Sequence, residues 1–280
     1  MQRTVYAPAK VNLILDVIGR RPDGYHDLAM LMVRLSLRDR LRVTLTDGSG
    51  VAVTCPGLDL AAGEENIAGR AARLFLDHVG QEKAVAIGID KRIPAAAGLG
   101  GGSSDAAAVL LALNDLLATG LSRSELQGLG LRLGADVPFF LCGHTAAWAT
   151  GVGEVLQPWP GLPACWLVLV NPRFGVPTAW VYQNLGLTHR RQMPKIPRFP
   201  ERAEDLGQLL RNDLEQVTIS RHPEIAEIKA RLQGAGALGA LMSGSGPTVF
   251  GVFAGPSAAE RAAAELARGT GWWTAAVSPV

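Results

Sequence analysis

The sequence predicts an α+β fold of two lobes, an N-terminal lobe over residues 1–160 and a C-terminal lobe over residues 161–280. The chain has 280 residues, 48% of them hydrophobic, which suffices for two moderate cores. Its first part opens with strand-like alternation, and its last part reads as strand, strand, helix and strand. Between them, residues 158–163 contain three prolines and a glycine, which is typical of a domain boundary.

The N-terminal lobe is predicted to start with strands. Apolar and polar residues alternate from Thr4 to Val17, and Lys10 and Asn12 fall on the polar face. The turn-forming sequence of residues 21–24 ends this strand. We expect further strands over residues 30–37, 40–46, 51–55 and 84–90, and helices over residues 64–79, 104–117 and 122–133.

In the C-terminal lobe, helices and strands are predicted on either side of a long irregular segment. That segment, residues 190–202, carries three prolines among basic residues and reads as an exposed, semi-rigid loop. Strands are expected over residues 165–170, 238–242, 248–253 and 272–277, and helices over residues 178–185, 201–232 (broken at Pro223) and 258–267.

Composition and charge argue against several classes of protein. The net charge is only +2 and the basic residues are scattered, so we expect no nucleic-acid partner. Cys55, Cys142 and Cys165 are odd in number and far apart, which fits neither a disulfide framework nor a zinc site. No apolar run is long enough to span a membrane, and the N-terminus has no signal pattern. We expect a cytoplasmic protein that acts on a small molecule without an obligatory protein partner.

The strongest local signal is a glycine-rich loop, Pro94 to Asp105, that leads directly into a predicted helix. Glycines let backbone N–H groups converge on a ligand, and the positive end of a helix favours phosphate. Ser103 or Ser104 could cap this helix. The loop lacks the Gly-Lys-Ser/Thr of a Walker loop, and Ser103 stands where a dinucleotide-binding fingerprint needs glycine. The alternative is a flexible loop or an ordinary helix start.

Three motifs resemble those of the GHMP kinases, a superfamily of small-molecule kinases. Residues 94–104 resemble its ATP-phosphate loop, residues 7–13 its first motif and residues 241–251 its third. The resemblance implies a two-lobed GHMP kinase fold, with a ribosomal-protein-like N-terminal lobe and a ferredoxin-like α/β sandwich as the C-terminal lobe. Four segments further resemble the branch that phosphorylates 4-diphosphocytidyl-2-C-methyl-D-erythritol, namely Gly101-Gly102 and residues 21–26, 134–139 and 151–154.

This resemblance implies transfer of the γ-phosphoryl group of ATP to the 2-hydroxyl group of that compound, in non-mevalonate isoprenoid synthesis. Mg²⁺ is expected to arrive with ATP, held largely by phosphate and water, without a protein ligand that can be named. The resemblance places Asn66 near adenine, although Asn66 can equally be a helix cap. The residues expected to bind ATP are Asn66, Pro94, Gly98, Leu99, Gly100, Gly101, Gly102, Ser103 and Ser104.

Lys10 and Asp136 are the candidate catalytic residues. Asp136 lies between a predicted helix and Pro138, where its carboxylate could accept the proton of the substrate hydroxyl group or merely cap the next segment. A lysine nearby would keep that carboxylate ionised and stabilise charge on the transferred phosphoryl group, whereas the alternative for Lys10 is a surface position. The resemblance implies that the two residues work as a pair.

The acceptor site is also assigned from the resemblance. It implies that Tyr25, His26 and Tyr182 hold the cytidine base, although aromatic residues after a turn are otherwise surface anchors or a small satellite core. Thr178 lies one helical turn before Tyr182 and is implied to approach the methylerythritol group. The basic segment 190–202 could meet the substrate diphosphate or be a solvated loop. Asn12 is a further implied acceptor residue. Gly244, Ser245 and Gly246 are implied to approach the acceptor and the transferred phosphate, although they could also be only a tight connection between two strands.

Two other functions stay open at this point. Another GHMP kinase, acting on homoserine, a mevalonate compound or a sugar, would have no base for Tyr25, His26 and Tyr182 to stack on. A non-catalytic nucleotide or RNA binder is the second alternative, because the implied N-terminal lobe also resembles domains of ribosomal and translation proteins. The presence of both Lys10 and Asp136, and the absence of a dense basic patch, argue against that alternative.

Overall fold

The computed structural model describes residues 1–57, 65–187 and 190–280. The chain packs into two compact units that are interleaved along the sequence, and both contain strands and helices, which confirms the predicted α+β class. The predicted boundary near residue 160 stays a prediction. The first unit consists of residues 1–9, 37–95 and 100–144, and the second consists of residues 10–36, 96–99 and 145–280.

Two long strands contribute residues to both units. They are β1 (Gln2–Arg20) and β2 (His26–Thr46), and the turn between them is confirmed by the bond from the Gly24 N–H to Arg21 O (3.1 Å). The prediction of two separate strands over residues 30–37 and 40–46 is wrong. β2 runs without interruption, and its two halves pair with different segments, residues 28–33 with residues 146–151 and residues 40–46 with residues 84–90. Sequence periodicity does not identify pairing partners, so it could not show that one strand serves both.

The first unit contains a small sheet and several helices. β4 (Ala84–Asp90) pairs antiparallel with residues 40–46 and parallel with β3 (Val51–Thr54). α1 (Ile67–Val79) begins where Asn66 Oδ1 accepts the N–H of Ala68 at 2.9 Å, so Asn66 does act as a cap. Residue 64, where this helix was expected to begin, lies outside the described residues. The remaining helices of the unit are α2 (Gly101–Leu116), α3 (Arg123–Leu131) and α4 (Val137–Leu141).

The second unit is built on a four-stranded antiparallel sheet. Its strands are, in order, β11 (Trp273–Val277), β7 (Trp166–Asn171), β10 (Val249–Phe253) and β9 (Gly239–Met242). The helices α8 (Glu224–Gly234) and α9 (Pro256–Ala267) pack on this sheet, in which Phe250 and Phe253 of β10 are buried. The unit also contains β5 (Ala146–Gly151), β6 (Val155–Pro158), α5 (Thr178–Gln183), α6 (Ala203–Leu209), β8 (Arg211–Asn212) and α7 (Glu215–Arg221).

Two regions differ from the sequence-based expectation. α2 begins at Gly101, and its cap residue is the left-handed Gly100, which has no side chain. The prediction that Ser103 or Ser104 caps this helix is therefore wrong, because both serines lie inside its first turn. The expected helical region over residues 201–232 is divided into α6, β8, α7 and α8, and β5, β6 and α4 were not predicted. Of the helices in the described ranges, none has the length and apolar character needed to cross a membrane.

Candidate functional site

Residues 96–100, here called the glycine segment, are held through three consecutive carbonyl groups. All the donors belong to the first and third motifs found in the sequence, and all lie in the second unit. The three bonds run from the N–H of Thr248 to Ala97 O (3.3 Å), from Ser243 Oγ to Gly98 O (2.9 Å) and from the N–H of Lys10 to Leu99 O (2.9 Å). The three separate motifs are thus joined at the glycine segment.

These bonds determine where the N–H groups of the glycine segment point. Because the C=O and N–H of one peptide group point in opposite directions, the N–H groups of residues 98–100 are directed away from the held carbonyls. The φ angle is positive at Ala96 (49°), Gly98 (73°) and Gly100 (68°) but not at the residues between them. Such an alternation is typical of backbone segments in which successive N–H groups converge on a bound anion. The geometry supports the predicted phosphate role of Gly98, Leu99 and Gly100.

Gly98 is also required for packing, and this gives a first testable prediction. A Cβ atom at this position would overlap the carbonyl oxygen of Ser243 and lie 3.1 Å from that of Gly246, at a φ of 73°. We expect Gly98→Ala to lower the free energy of unfolding by about 2–4 kcal/mol, measured by chemical denaturation. Gly128→Ala is the matched control, because Gly128 lies in α3 with open space around it. Equal stability of the two variants would contradict the described packing.

The other predicted ATP residues lie at or near helix starts in the first unit. Gly101 is buried, and a Cβ atom there would lie 3.0 Å from Ile93 and 3.1 Å from the ammonium of Lys91. Gly102 is exposed in the first turn of α2, whereas Ser104 is buried and its Oγ has no hydrogen-bond partner within the described residues. Pro94 and Ser103 are half-buried. The N-terminal turn of α2 therefore offers both a positive helix end and an open face at Gly102.

Beneath this turn lies a buried charge cluster that the sequence reading missed. Lys91 Nζ donates to Asp39 Oδ2 (2.6 Å) and to Asp105 Oδ2 (2.7 Å). Burial raises the pKa of Asp105 to about 7, Lys91 opposes this rise, and Asp39 adds to it. Burial also opposes the charge on Lys91, but the two carboxylates outweigh it and raise the pKa of Lys91. Lys91 lies three residues before the glycine-rich loop and Asp105 is the last residue of that loop, and these positions were the signal available in the sequence.

The cluster predicts a specific dependence of stability on pH. The pKa of Asp105 is 3.8 ordinarily and about 7 in the fold, so the folded state binds the extra proton between these values. Stability should therefore fall as pH rises from about 4 to 7. Asp105→Asn removes this titration and leaves the Lys91–Asp39 pair neutral overall. We expect the variant to be more stable than the wild type by roughly 1–4 kcal/mol at pH 8, and the difference to shrink at pH 5. A pH-independent difference between their denaturation curves would contradict this.

Lys10 and Asn12 form a buried polar pair in the second unit. Lys10 is 4% exposed, so the alternative that it is a surface lysine is wrong. Its Nζ donates to Asn12 Oδ1 at 2.6 Å, and the N–H of Asn12 donates to Ser243 Oγ at 3.3 Å. The two side chains share one face of β1, as the alternation predicted. The hydrogen bond to Asn12 fixes the position of the buried ammonium group of Lys10. A positive charge held in one position is suited to stabilise negative charge that develops during a reaction.

Asp136 lies in the first unit, directly before α4. It is half-buried and occupies the N-cap position, but its side chain makes no capping hydrogen bond. The interpretation of Asp136 as a helix cap is therefore wrong. The predicted role of Asp136 in proton transfer stays a prediction, and a half-buried carboxylate directly before a helix is compatible with it.

The predicted base-binding residues are partly brought together in the second unit. The rings of His26 and Tyr182 are stacked, with centroids 5.0 Å apart and planes inclined by 24°, whereas Tyr25 is 62% exposed. Burial, together with the charge of Arg20, lowers the pKa of His26 below its ordinary 6.5. The imidazole is therefore neutral at pH 7 and can both donate and accept hydrogen bonds. The pair offers an aromatic face and a polar edge to a ligand.

The predicted residues of the third motif form the turn between β9 and β10. Thr178 Oγ1 and Ser245 Oγ are 2.8 Å apart, so two predicted acceptor residues are hydrogen-bonded to each other. Asn212, which sequence reasoning missed, donates from Nδ2 to Met242 O and Gly244 O, each at 2.8 Å. Because the buried Asn212 bonds two backbone carbonyl groups of this region, it holds the turn in one conformation.

The basic segment 190–202 has no regular secondary structure and is mostly exposed, as predicted. Arg190 forms an ion pair with Asp27 (2.7 Å), next to His26, and Arg191 forms one with Asp213 (2.8 Å). The possible contact between this segment and the diphosphate of the substrate stays a prediction. Within the described ranges, histidine, cysteine, aspartate and glutamate form no group of three or more that could hold a metal ion.

Comparison with known proteins identifies the family of this chain. The family models described as GHMP kinases N terminal domain and GHMP kinases C terminal match residues 66–144 and 193–270. A 4-diphosphocytidyl-2-C-methyl-D-erythritol kinase from Syntrophotalea carbinolica is 55% identical over 274 residues, covering 98% of each chain. A relative of the same name from Geobacter metallireducens is also 55% identical, covering 98% of this chain and 97% of the relative.

Solved structures agree with the sequence relatives. A crystal structure of 4-(cytidine 5'-diphospho)-2C-methyl-D-erythritol kinase is 42% identical, covers both chains completely and superposes with a TM-score of 0.80. A homoserine kinase from Cytophaga hutchinsonii superposes with a TM-score of 0.72 but is only 19% identical, over 100% of this chain and 95% of the other. The second likeness concerns the fold alone. The fold shared by these enzymes is the one the three motifs predicted.

Proposed function

Since the chain belongs to the GHMP kinases, in the family of 4-diphosphocytidyl-2-C-methyl-D-erythritol kinases, we propose that it transfers the γ-phosphoryl group of ATP to the 2-hydroxyl group of that compound. The products are ADP and the 2-phosphate, and the step belongs to the non-mevalonate route to isoprenoids. The observation that carries the proposal is the 55% identity over 98% of both chains. Relatives of low identity share the fold only.

In the proposed reaction, the chain supplies binding, charge stabilisation and a proton acceptor. The converging N–H groups of Gly98, Leu99 and Gly100, with the start of α2, bind the phosphates of ATP. Asp136 accepts the proton of the 2-hydroxyl group as that oxygen attacks the γ-phosphorus. The ammonium of Lys10 stabilises the negative charge of the transferred group. Mg²⁺, when bound with ATP, neutralises phosphate charge and is held largely by phosphate and water.

The aromatic residues give the proposed acceptor specificity. Tyr25 and Tyr182 stack on the cytosine, and the neutral imidazole of His26 lies beside it. Asn12, Thr178 and the turn of Gly244 to Gly246 hold the methylerythritol end. We further propose action in the cytoplasm without nucleic acid, membrane or obligatory protein partner. The free thiols of the cysteines support this location, because a reducing compartment maintains them.

An ADP-release assay with three acceptors tests the proposal. Purified protein with ATP and Mg²⁺ should release ADP with the diphosphocytidyl compound and not with homoserine or mevalonate. The product should carry its new phosphate at the 2-position, identified by ³¹P NMR. Release of ADP with homoserine or mevalonate instead would favour another GHMP kinase. Binding of ATP without ADP release for any acceptor would favour the non-catalytic alternative.

A further inference from the structure

Ser243 lies in the third motif, yet its side chain bonds the glycine segment. It is fully buried, and its Oγ donates to Gly98 O at 2.9 Å while accepting the N–H of Asn12 at 3.3 Å. Neither the motif resemblance nor the family membership assigned Ser243 a role. The neighbouring Ser245 bonds Thr178 instead. Two serines of one turn therefore face different partners.

The Ser243 hydroxyl controls the orientation of one peptide group. Gly98 O and the N–H of Leu99 belong to the same peptide, so holding the oxygen fixes the direction of the N–H. The peptides on either side are held by backbone N–H donors, which no substitution of a side chain removes. The central peptide depends on the hydroxyl group of Ser243. Gly98 allows this peptide to rotate, because glycine accepts φ angles of either sign.

We propose that Ser243 is a positioning residue for the nucleotide phosphates. By holding Gly98 O, it keeps the N–H of Leu99 directed toward a bound phosphate oxygen. The proposal rests on the proposed use of the glycine segment for ATP. It gives Ser243 of the third motif, a motif whose Gly244, Ser245 and Gly246 were expected near the acceptor and the transferred phosphate, a part in orienting the glycine segment for the donor nucleotide.

The test compares ligands with and without phosphates. For Ser243→Ala, we expect the dissociation constant of ADP, measured by calorimetry, to rise about 10- to 100-fold, the loss of one N–H bond to a charged group. The dissociation constant of adenosine should change by less than about threefold. A merely structural role would weaken adenosine and ADP together. Equal weakening of both, or unchanged ADP binding, would overturn the proposal.

Two further variants keep the test decisive. Ser243→Cys retains a weak donor of similar size, so we expect a smaller rise for ADP, about 3- to 10-fold. If Ser243→Ala does not fold, the ratio of ADP to adenosine binding in Ser243→Cys decides. Ser245→Ala, which removes the bond to Thr178, should leave ADP binding unchanged. Because these measurements need no acceptor, they remain valid even if the ADP-release assay shows that the acceptor is a different compound.

Discussion

Asp136→Asn should lower kcat by about 10²-fold or more while the dissociation constant of ATP stays within about twofold of the wild type. The substitution preserves the size of the side chain and removes its capacity to accept a proton. Because the Asp136 side chain makes no capping hydrogen bond, α4 loses no stabilising contact of that kind. The loss should therefore appear in single-turnover phosphoryl transfer rather than in nucleotide binding or in the melting temperature.

Asp77→Asn is the matched control for this prediction. Asp77 is exposed in α1, in the same unit as Asp136, and the substitution makes the same change of charge. We expect wild-type kcat for Asp77→Asn, since no reacting group depends on it. Near-normal turnover of Asp136→Asn, with the protein folded, would remove Asp136 from the role of base.

Local sequence patterns predicted the bounds of an element correctly where the pattern of buried and exposed residues is the same along its whole length. β4 was predicted over the bounds that it has, because residues 84–90 alternate between buried and exposed positions. β2 was divided in error at residues 38–39. There Asp39 is buried, and its side-chain carboxyl group accepts the N–H groups of Arg92 (2.6 Å) and Ile93 (2.8 Å). In the sequence alone, an aspartate inside an apolar pattern indicates the end of a strand, because the distant groups that bind its side chain are not known.

The same limit applies to the candidate site. The residues of the glycine segment were found because their spacing is a local motif. Ser243 and Asn212 were not, because their partners are distant: Gly98 lies 145 residues before Ser243, and Gly244 lies 32 residues after Asn212. Their polar side chains look ordinary in sequence, and only the fold brings buried carbonyl groups within their reach. The cluster of Lys91, Asp39 and Asp105 was missed for the same reason, because Asp39 lies 52 residues before Lys91 in the sequence.

Tyr182→Ala should raise the acceptor's KM by roughly 5- to 150-fold and leave the KM of ATP nearly unchanged. Stacking of an aromatic ring on a base contributes about 1–3 kcal/mol. Losing that energy raises KM by this factor if the stacking stabilises the bound substrate and the transition state equally. The structure adds a second reason, because Tyr182 is the ring on which His26 stacks. Tyr182→Phe keeps the aromatic face and should be tolerated. Steady-state kinetics with each substrate varied in turn provides the measurement.

Trp180→Ala is a control on the same helix. Trp180 packs under the guanidinium of Arg221, 4.6 Å from the ring centroid, and is assigned no acceptor contact. We expect this variant to keep the acceptor's KM, although its melting temperature should fall through lost packing. A variant that merely unfolds would lose both substrates together, which separates instability from lost stacking. If Tyr182→Ala and Tyr25→Ala both leave the acceptor's KM unchanged, no base is stacked there, and a smaller GHMP kinase substrate without a base becomes the better hypothesis.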